Sequence, residues 1–355
     1  MKIAVLSNAA VIHTRRWVEH FRGRGHEVRV WSLEPGPPEL GAERLPSAPL
    51  PGVLRYPLAA GALRRALDRF APDVVDAHYV PNYGVLATLV NRHPRVITAW
   101  GSDLLVAGRR DPFQRARARA VLSSADHVLC DSGNLAAAAR ALGAPADRVS
   151  EIPWGVDLSR FRPGVARQRG LLFSARMHEP VYDLPTILAG VAELMRERSG
   201  LELAIAGDGT LRSELERLAA RVLPAGRYRF LGRLDPQAMA GWLSRAEVYL
   251  SASRSDSTSV SLLEAMAAGA VPVVSDLEGN REWIAPGDGG VLFPAGDAAA
   301  LAAGVRQVLD HASFADVARA RNRRVVEARG DWNANLDRVE AIYRALVERQ
   351  AAGAR

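Results

Sequence analysis

Short β-branched runs alternate with amphipathic stretches along almost the whole chain, and that alternation restricts it to parallel α/β architecture. In the first half the strand-like runs are KIAVLS, EVRVWSL, VVDAHY, RVITAW, HVLCDS and VSEIPW. Between them lie segments with apolar residues at helical spacing, such as TRRWVEHFRGRG and GALRRALDRF. The second half repeats the scheme with GLLFSAR, LELAIAG, YRFLGRL, VYLSAS, VPVVSD and GVLFP. Its helical stretches include LPTILAGVAELMRERSG and TLRSELERLAARV. The two series are separated by GVDLSRFRPGVARQRG, whose Gly, Pro and charge suit a linker. A chain of 355 residues also suits two domains. The expectation is two doubly wound, Rossmann-like domains at 1–155 and 169–330, joined by a linker at 156–168. A last helical segment, 331–355, is expected to pack back on the first domain. Two such domains facing each other would place a cleft between the carboxyl ends of both sheets.

Composition narrows the setting. The single cysteine, Cys130, follows the strand-like run HVLC and reads as core; it excludes an internal disulfide framework and fits a reducing compartment. The start, MKIAVLSNAAVIHTRRW, reads as a first strand rather than a cleaved leader. No apolar run reaches the ~18 residues a membrane span needs, so a cytoplasmic protein is expected. The net charge of +7 sits mainly in residues 1–155, which hold 20 of the 46 basic but 14 of the 39 acidic residues. Much of that excess lies in GRRDPFQRARARA, Gly108 to Ala120. Such a run is either a solvated helix face or a peripheral contact with anionic lipid or an anionic acceptor. No aromatic-interleaved basic module or zinc spacing appears, so nucleic acid is not an expected partner. Nor is a metal, because there is no Asp-x-Asp triplet and the histidines are scattered.

The chemistry concentrates in SRSDSTSVSLLEAMAAGAVPVVSD, Ser253 to Asp276. AEVYLSAS reads as a strand, SRSDSTS as a loop and VSLLEAMAAG as a helix. The helix start, Thr258, Ser259 and Val260, offers free backbone N–H groups and the positive dipole end, which can hold a phosphate. Glu264 lies about one turn further on. Being like-charged it does not suit phosphate, but it can accept hydrogen bonds from vicinal hydroxyls, as can Asp256 at the loop tip. Two sugars joined by a diphosphate would use both carboxylates; equally, Asp256 can simply start a turn and Glu264 sit at a helix rim.

At these residues the sequence resembles the retaining GT-B glycosyltransferases of the group 1 type. Their signature is a Glu, seven residues, a second Glu, and a Gly–Pro–Val turn. Asp256 and Glu264 have that spacing, with Asp in the first place, and AMAAGAVPVVSD follows. RGHEVRVWS, DAHYVPNYG, ADHVLCDSGNL, IPWGVDLSRFRP, AIAGDGTLRSELE, FLGRL and GGVLFPAGD extend the resemblance over nearly the whole chain. It implies that Glu264 holds a nucleotide ribose, that Asp256 contacts the donor sugar, and that Arg176 in LLFSARMHEP binds the diphosphate. A planar guanidinium suits that last task. Gly207 and Gly209, in AIAGDG, are then a strand-to-helix turn near the donor base.

The chain also departs from the family pattern. The usual lysine five residues after the arginine is Val181, and the only lysine present is Lys2. Arg254 or Arg233 is the candidate for a second positive charge. In place of a diglycine loop before the first helix stands SNAAVIHTRRW, with His13, Arg15 and Trp17 as cleft-edge candidates. Where the family often has a histidine, AWGSD offers Trp100, Ser102 and Asp103. His78 in DAHYVPNYG completes the acceptor-side candidates, and Asp103 and His78 join Arg176 and Asp256 as candidates for the chemistry itself.

The resemblance implies transfer of a sugar from a UDP-, GDP-, ADP- or TDP-sugar to a hydroxyl acceptor, with retained configuration and no cofactor beyond that donor. A binding protein or an epimerase on the same scaffold is the alternative. A dinucleotide-dependent dehydrogenase would need a glycine fingerprint after the first strand, which KIAVLSNAAVIHTRR lacks. A pyridoxal-phosphate phosphorylase would need a Schiff-base lysine, and Lys2 opens the first strand.

Overall fold

The computed structural model describes all residues except 48–51, 108–111, 165–166, 286 and 354–355. The chain divides into two compact units, Met1–Ile152 with Leu336–Arg355, and Pro153–Asn335.

The first unit is built on seven parallel strands: β1 (Lys2–Leu6), β2 (Glu27–Ser32), β3 (Glu43–Arg44), β4 (Val74–His78), β5 (Arg95–Thr98), β6 (His127–Cys130) and β7 (Val149–Glu151). Their order in the sheet is β3-β2-β1-β4-β5-β6-β7. The chain starts in the middle, winds outward to β3, then returns to lay β4 on the other side of β1. Helices cover the sheet because their apolar residues recur at helical spacing. Ile12–Gly23 buries Thr14, Trp17, Val18 and Phe21, and Gly52–Phe70 buries Ala59, Leu63, Leu67 and Phe70. All six strand-like runs of the first half are strands. The two-residue β3 is the addition, too short for any period to show.

The second unit repeats the winding with β8 (Leu171–Ala175), β9 (Glu202–Ala206), β10 (Tyr228–Gly232), β11 (Val248–Ser251), β12 (Val271–Ser275) and β13 (Val291–Phe293). These are ordered β10-β9-β8-β11-β12-β13, again all parallel. One apolar layer packs the helices Leu184–Glu197 and Ala298–Asp310 on one face. Another seats Val260–Ala268 on the other.

Residues 156–168, read from composition as a linker, belong to the second unit. Val156 pairs in parallel with Asp331, and Val156 and Phe161 are buried in its core. The crossing back to the first unit falls inside the last helix, Trp332–Gly353. The contacts that tie that helix there include Arg24 Nε to Glu340 Oε2 at 3.2 Å, His26 Nε2 to Glu340 Oε1 at 3.2 Å, and the buried Tyr343 hydroxyl to Asp76 Oδ2 at 2.5 Å. Among the described residues no helix is long and apolar enough to cross a membrane.

Candidate active site

In a doubly wound sheet, side chains converge just past the carboxyl ends of the two strands where the winding reverses. In the second unit those strands are β8 and β11. Arg176 is the first residue after β8, and the loop holding Arg254, Asp256 and Thr258 follows β11. Topology alone therefore brings these residues together.

Arg176 is 8% exposed and reaches across the sheet end to the start of the helix Val260–Ala268. Its Nη1 donates to the Ser259 and Ser261 hydroxyls, and its Nη2 lies 2.5 Å from Asp256 Oδ2. The Tyr182 ring stacks on the guanidinium, 4.3 Å from its centroid. Burial disfavours the charge on Arg176, but Asp256 overcomes that and raises its pKa above the ordinary arginine value. Ser259 is the helix N-cap, its hydroxyl accepting from Leu262 N. A cation held against the positive end of a helix is unfavourable unless an anion joins it. Here Asp256 is that anion.

The Asp256 loop is held from behind. The Ser275 hydroxyl donates to Ser253 O at 2.6 Å, and Asn280 Nδ2 donates to Ser275 O at 2.8 Å. Gly279 approaches so closely that a Cβ there would lie 2.0 Å from Ser257 O. Glu264 is half-buried, one turn into the helix. Gly207 and Gly209 press against the turn that carries Arg176. A Cβ at Gly207 would meet Arg176 O at 2.1 Å, and one at Gly209 would meet His178 O at 2.6 Å. Val181 accepts a hydrogen bond at its carbonyl from Arg254 N, 2.8 Å away, and Arg254 Nη2 pairs with Asp183 Oδ2 at 2.7 Å. Arg233 is exposed beyond β10, two strands away from β8.

The first unit holds a cavity of about 180 Å³ at its own reversal point, past the ends of β1, β2, β4 and β5. Ser7, Asn8, Glu34, His78, Tyr79 and Trp100 are among the residues that line it. His78 is fully buried, with Nε2 3.0 Å from Asp76 Oδ2. Asp76 also accepts from Thr98 and from Tyr343 of the last helix. Ring contacts link Trp17 to His78 at 5.0 Å, and Trp100 to His78 and His13 at 5.7 and 5.9 Å. Burial, with Arg16 and His78 adding to it, lowers the His13 pKa to about 4.

The comparisons with known proteins divide a few residues past the boundary between the units. Residues 10–160 match the family model described as Glycosyltransferase Family 4, and residues 168–311 that of Glycosyl transferases group 1. The chain belongs to the group 1 glycosyltransferases. The phosphatidyl-myo-inositol mannosyltransferase of Mycolicibacterium smegmatis is 34% identical over 217 residues, 58% of this chain and 55% of that protein. The match thus spans about half the length of that relative. The D-inositol 3-phosphate glycosyltransferase of Geodermatophilus obscurus is 29% identical over 92% of this chain and 77% of that protein. The crystal structure of Anabaena HepE in complex with UDP and glucose superposes with a TM-score of 0.82 at 17% identity, covering 98% of this chain and all of that one. The fold is GT-B.

In this group 1 chain the structure brings Arg176, Asp256, Ser259 and the helix start together, with Thr258 buried beside Trp283. It does not bring Arg233 or Arg15 to either cluster. Arg15 lies half-exposed, paired with Glu19 at 3.1 Å. Asp103 differs from the expectation of a reacting group. It is 1% exposed, and its carboxylate accepts from the backbone N–H of Val80, Trp100 and Leu104. It clamps together the loops after β4 and β5 and does not line the cavity. Exposed Ser102 meets Tyr79 of the cavity wall, hydroxyl to hydroxyl at 3.5 Å, and is not itself among the described lining residues. Of the basic run, residues 108–111 lie outside the described residues; the rest forms the helix Pro112–Ser123.

Burial raises the Asp103 pKa to about 6, against the partly compensating backbone N–H groups. Between its ordinary value of 3.8 and about 6 the folded chain binds this proton and the unfolded chain does not, so stability falls as pH rises through that window. Asp103→Asn is expected to remove this dependence. Chemical denaturation should show wild type losing up to about 3 kcal/mol relative to the variant between pH 4 and pH 7.

Sequence reasoning did not find Ser261, Tyr182, Glu34 or Tyr79. Ser261 had a readable signal, since it follows the N-cap by two residues in the same Ser-rich run.

Proposed function

We propose that the chain is a retaining glycosyltransferase. It moves a hexosyl or N-acetylhexosaminyl group from a nucleoside-diphosphate sugar to the hydroxyl of a glycan, glycolipid or secondary metabolite. The observation that carries this reading is the Arg176 guanidinium lodged at the positive end of a helix beside Asp256. Two positive features aimed at one spot suit a diphosphate better than any neutral ligand. UDP and glucose in the HepE structure support the same donor class.

In this reading the diphosphate joins Asp256 in satisfying Arg176 and takes the N–H groups at Thr258–Val260, while Glu264 accepts from the ribose hydroxyls. The bond from the sugar's anomeric carbon to the diphosphate oxygen breaks on the face where the acceptor hydroxyl adds. The departing oxygen takes the acceptor's proton, so no protein base is required. Arg176 and the helix N–H groups stabilise the charge that grows on the leaving group. No metal is needed for that step. Phe113, 62% exposed on the basic helix after residue 111 and flanked by exposed Arg115, suits peripheral contact with an anionic membrane.

The test is a thermal-shift panel of UDP-, GDP-, ADP- and TDP-sugars, followed by transfer assays with the ligand that binds. One nucleotide should raise Tm, and free nucleotide should appear only when an acceptor is added, with or without EDTA. Glu264→Ala should weaken donor binding by about tenfold, or ~1.4 kcal/mol, the worth of a hydrogen bond to a charged group. Binding without turnover would make this an inert binder. Isomerised donor without acceptor would make it an epimerase. Activity lost in EDTA and restored by Mg²⁺ or Mn²⁺ would overturn the metal-free step.

A further inference from the structure

The cavity of the first unit has a composition that selects among acceptors. It holds about 180 Å³, roughly the space of six waters, which is the scale of one six-membered ring with its substituents. Its walls are largely aromatic, with Tyr56, His78, Tyr79, Tyr83 and Trp100 beside the amides of Asn8 and Asn82, and they hold a single carboxylate, Glu34. Among the described residues that line it there is no lysine or arginine.

Glu34 is fixed in place. Its Oε2 accepts from the Tyr83 hydroxyl, its Oε1 lies 3.3 Å from Arg55 Nη2, and its backbone N–H donates to Ser32 Oγ at 3.1 Å. Tyr83 is held in turn by Leu33 N–H at 2.9 Å. Arg55 matches the charge of Glu34, so the pair leaves no excess positive charge for an anion. Tyr79 adds a second sign of construction. It has φ +72°, a left-handed conformation that a bulky residue adopts only under constraint. That conformation opens the π-helical turn Tyr79–Gly84, which also supplies Asn82 and Tyr83 to the wall.

We propose that this cavity binds the acceptor as a neutral, polyhydroxylated ring, with Glu34 accepting from its hydroxyls and Tyr79 forming an aromatic wall. The proposal rests on the transferase reading and narrows it. Aromatic faces suit the C–H side of such a ring, and the fixed carboxylate and amides suit its hydroxyls. A phosphorylated ring would meet a Glu34–Arg55 pair with no net positive charge, and none of the described lining residues supplies a cation to hold its phosphate. The acceptor class therefore differs from the inositol 3-phosphate and phosphatidylinositol in the relatives' names.

The test is calorimetric binding of matched pairs, with and without UDP: myo-inositol against myo-inositol 1-phosphate, and methyl α-D-glucopyranoside against glucose 6-phosphate. At least one neutral member is expected to bind at least about tenfold more tightly than its phosphorylated partner. Glu34→Gln should shrink that ratio to about threefold or less, a change of charge preference that a purely structural role would not give. Tyr79→Gly, which removes the ring but keeps the left-handed backbone, should cut neutral-ring affinity by about tenfold without lowering Tm. A phosphorylated probe binding as tightly as its partner, no binding of either neutral probe, or an unchanged ratio in Glu34→Gln would each overturn the proposal. The UDP-induced Tm shift on the same samples reports separately on the donor reading. If it persists while the neutral probes fail, only the acceptor assignment falls.

Discussion

Arg176→Ala is expected to lower kcat/KM for transfer by about 10²–10³-fold, with most of the loss in kcat, as for removal of a donor aimed at developing charge. The guanidinium is placed by contacts on every side: Asp256 at 2.5 Å, the Ser259 and Ser261 hydroxyls, and the Tyr182 ring beneath it. A group so fixed needs no reorganisation when negative charge moves onto a departing diphosphate, and that is where its effect on rate comes from. Arg176→Lys should recover less than about tenfold, because an ammonium cannot span the serines and the carboxylate as a planar fork does. The alanine variant also leaves Asp256 partly buried without its cation, which by itself destabilises the fold. The double variant Arg176→Ala, Asp256→Asn separates the two effects: Tm should return toward wild type while turnover stays low. If the alanine variant kept wild-type kinetics with the true donor and acceptor, the placement of the diphosphate at this helix start would be wrong.

The architecture was legible because parallel sheets write themselves in period. Most strands came from short runs rich in β-branched and other apolar residues, and central ones such as VPVVS are buried along their whole length. The donor-side cluster was legible for a related reason. Ser253 to Asp276 runs from the loop after β11 through a helix N-terminus to β12 without a break, so its chemistry is local in sequence. Arg176 comes from a strand 80 residues away in number, and only the family pattern pointed to it. The first unit was harder. Its cavity draws Ser7, Glu34, His78 and Trp100 from four different strand ends, and no spacing rule joins them. Asp103 shows how a short motif misleads. AWGSD presents an acid at a strand end, but an aspartate one residue past a Ser there binds the backbone N–H groups of its own turn as readily as it meets a substrate. The Tyr343–Asp76–His78 chain was invisible for the opposite reason. Tyr343 lies in an unremarkable amphipathic helix, and its hydroxyl matters only because that helix returns to the first unit.

Gly207→Ala should be the most damaging single-methyl change in the second unit. Two costs fall on that methyl group. The backbone has φ +119°, a region that residues with a Cβ rarely adopt, and the Cβ itself would lie 2.1 Å from Arg176 O. The first cost is a strain of about 1–3 kcal/mol. The second cannot be relieved by a rotamer change, because the atom in the way is backbone; the turn or the end of β8 must move. Gly226 separates the two. It has φ +78° with nothing within 4 Å of a built Cβ, so Gly226→Ala should cost only about 1–2 kcal/mol. Gly207→Ala should cost roughly 3 kcal/mol or more, or about 6–12 °C in Tm for a domain of this size, against about 2–8 °C for Gly226→Ala. It should also displace Arg176 by way of its carbonyl, raising the donor KM and lowering kcat, whereas Gly226→Ala should leave both unchanged. Equal Tm losses in the two variants would mean that the turn at Gly207 yields freely, and that its contact with Arg176 does not hold the guanidinium in place.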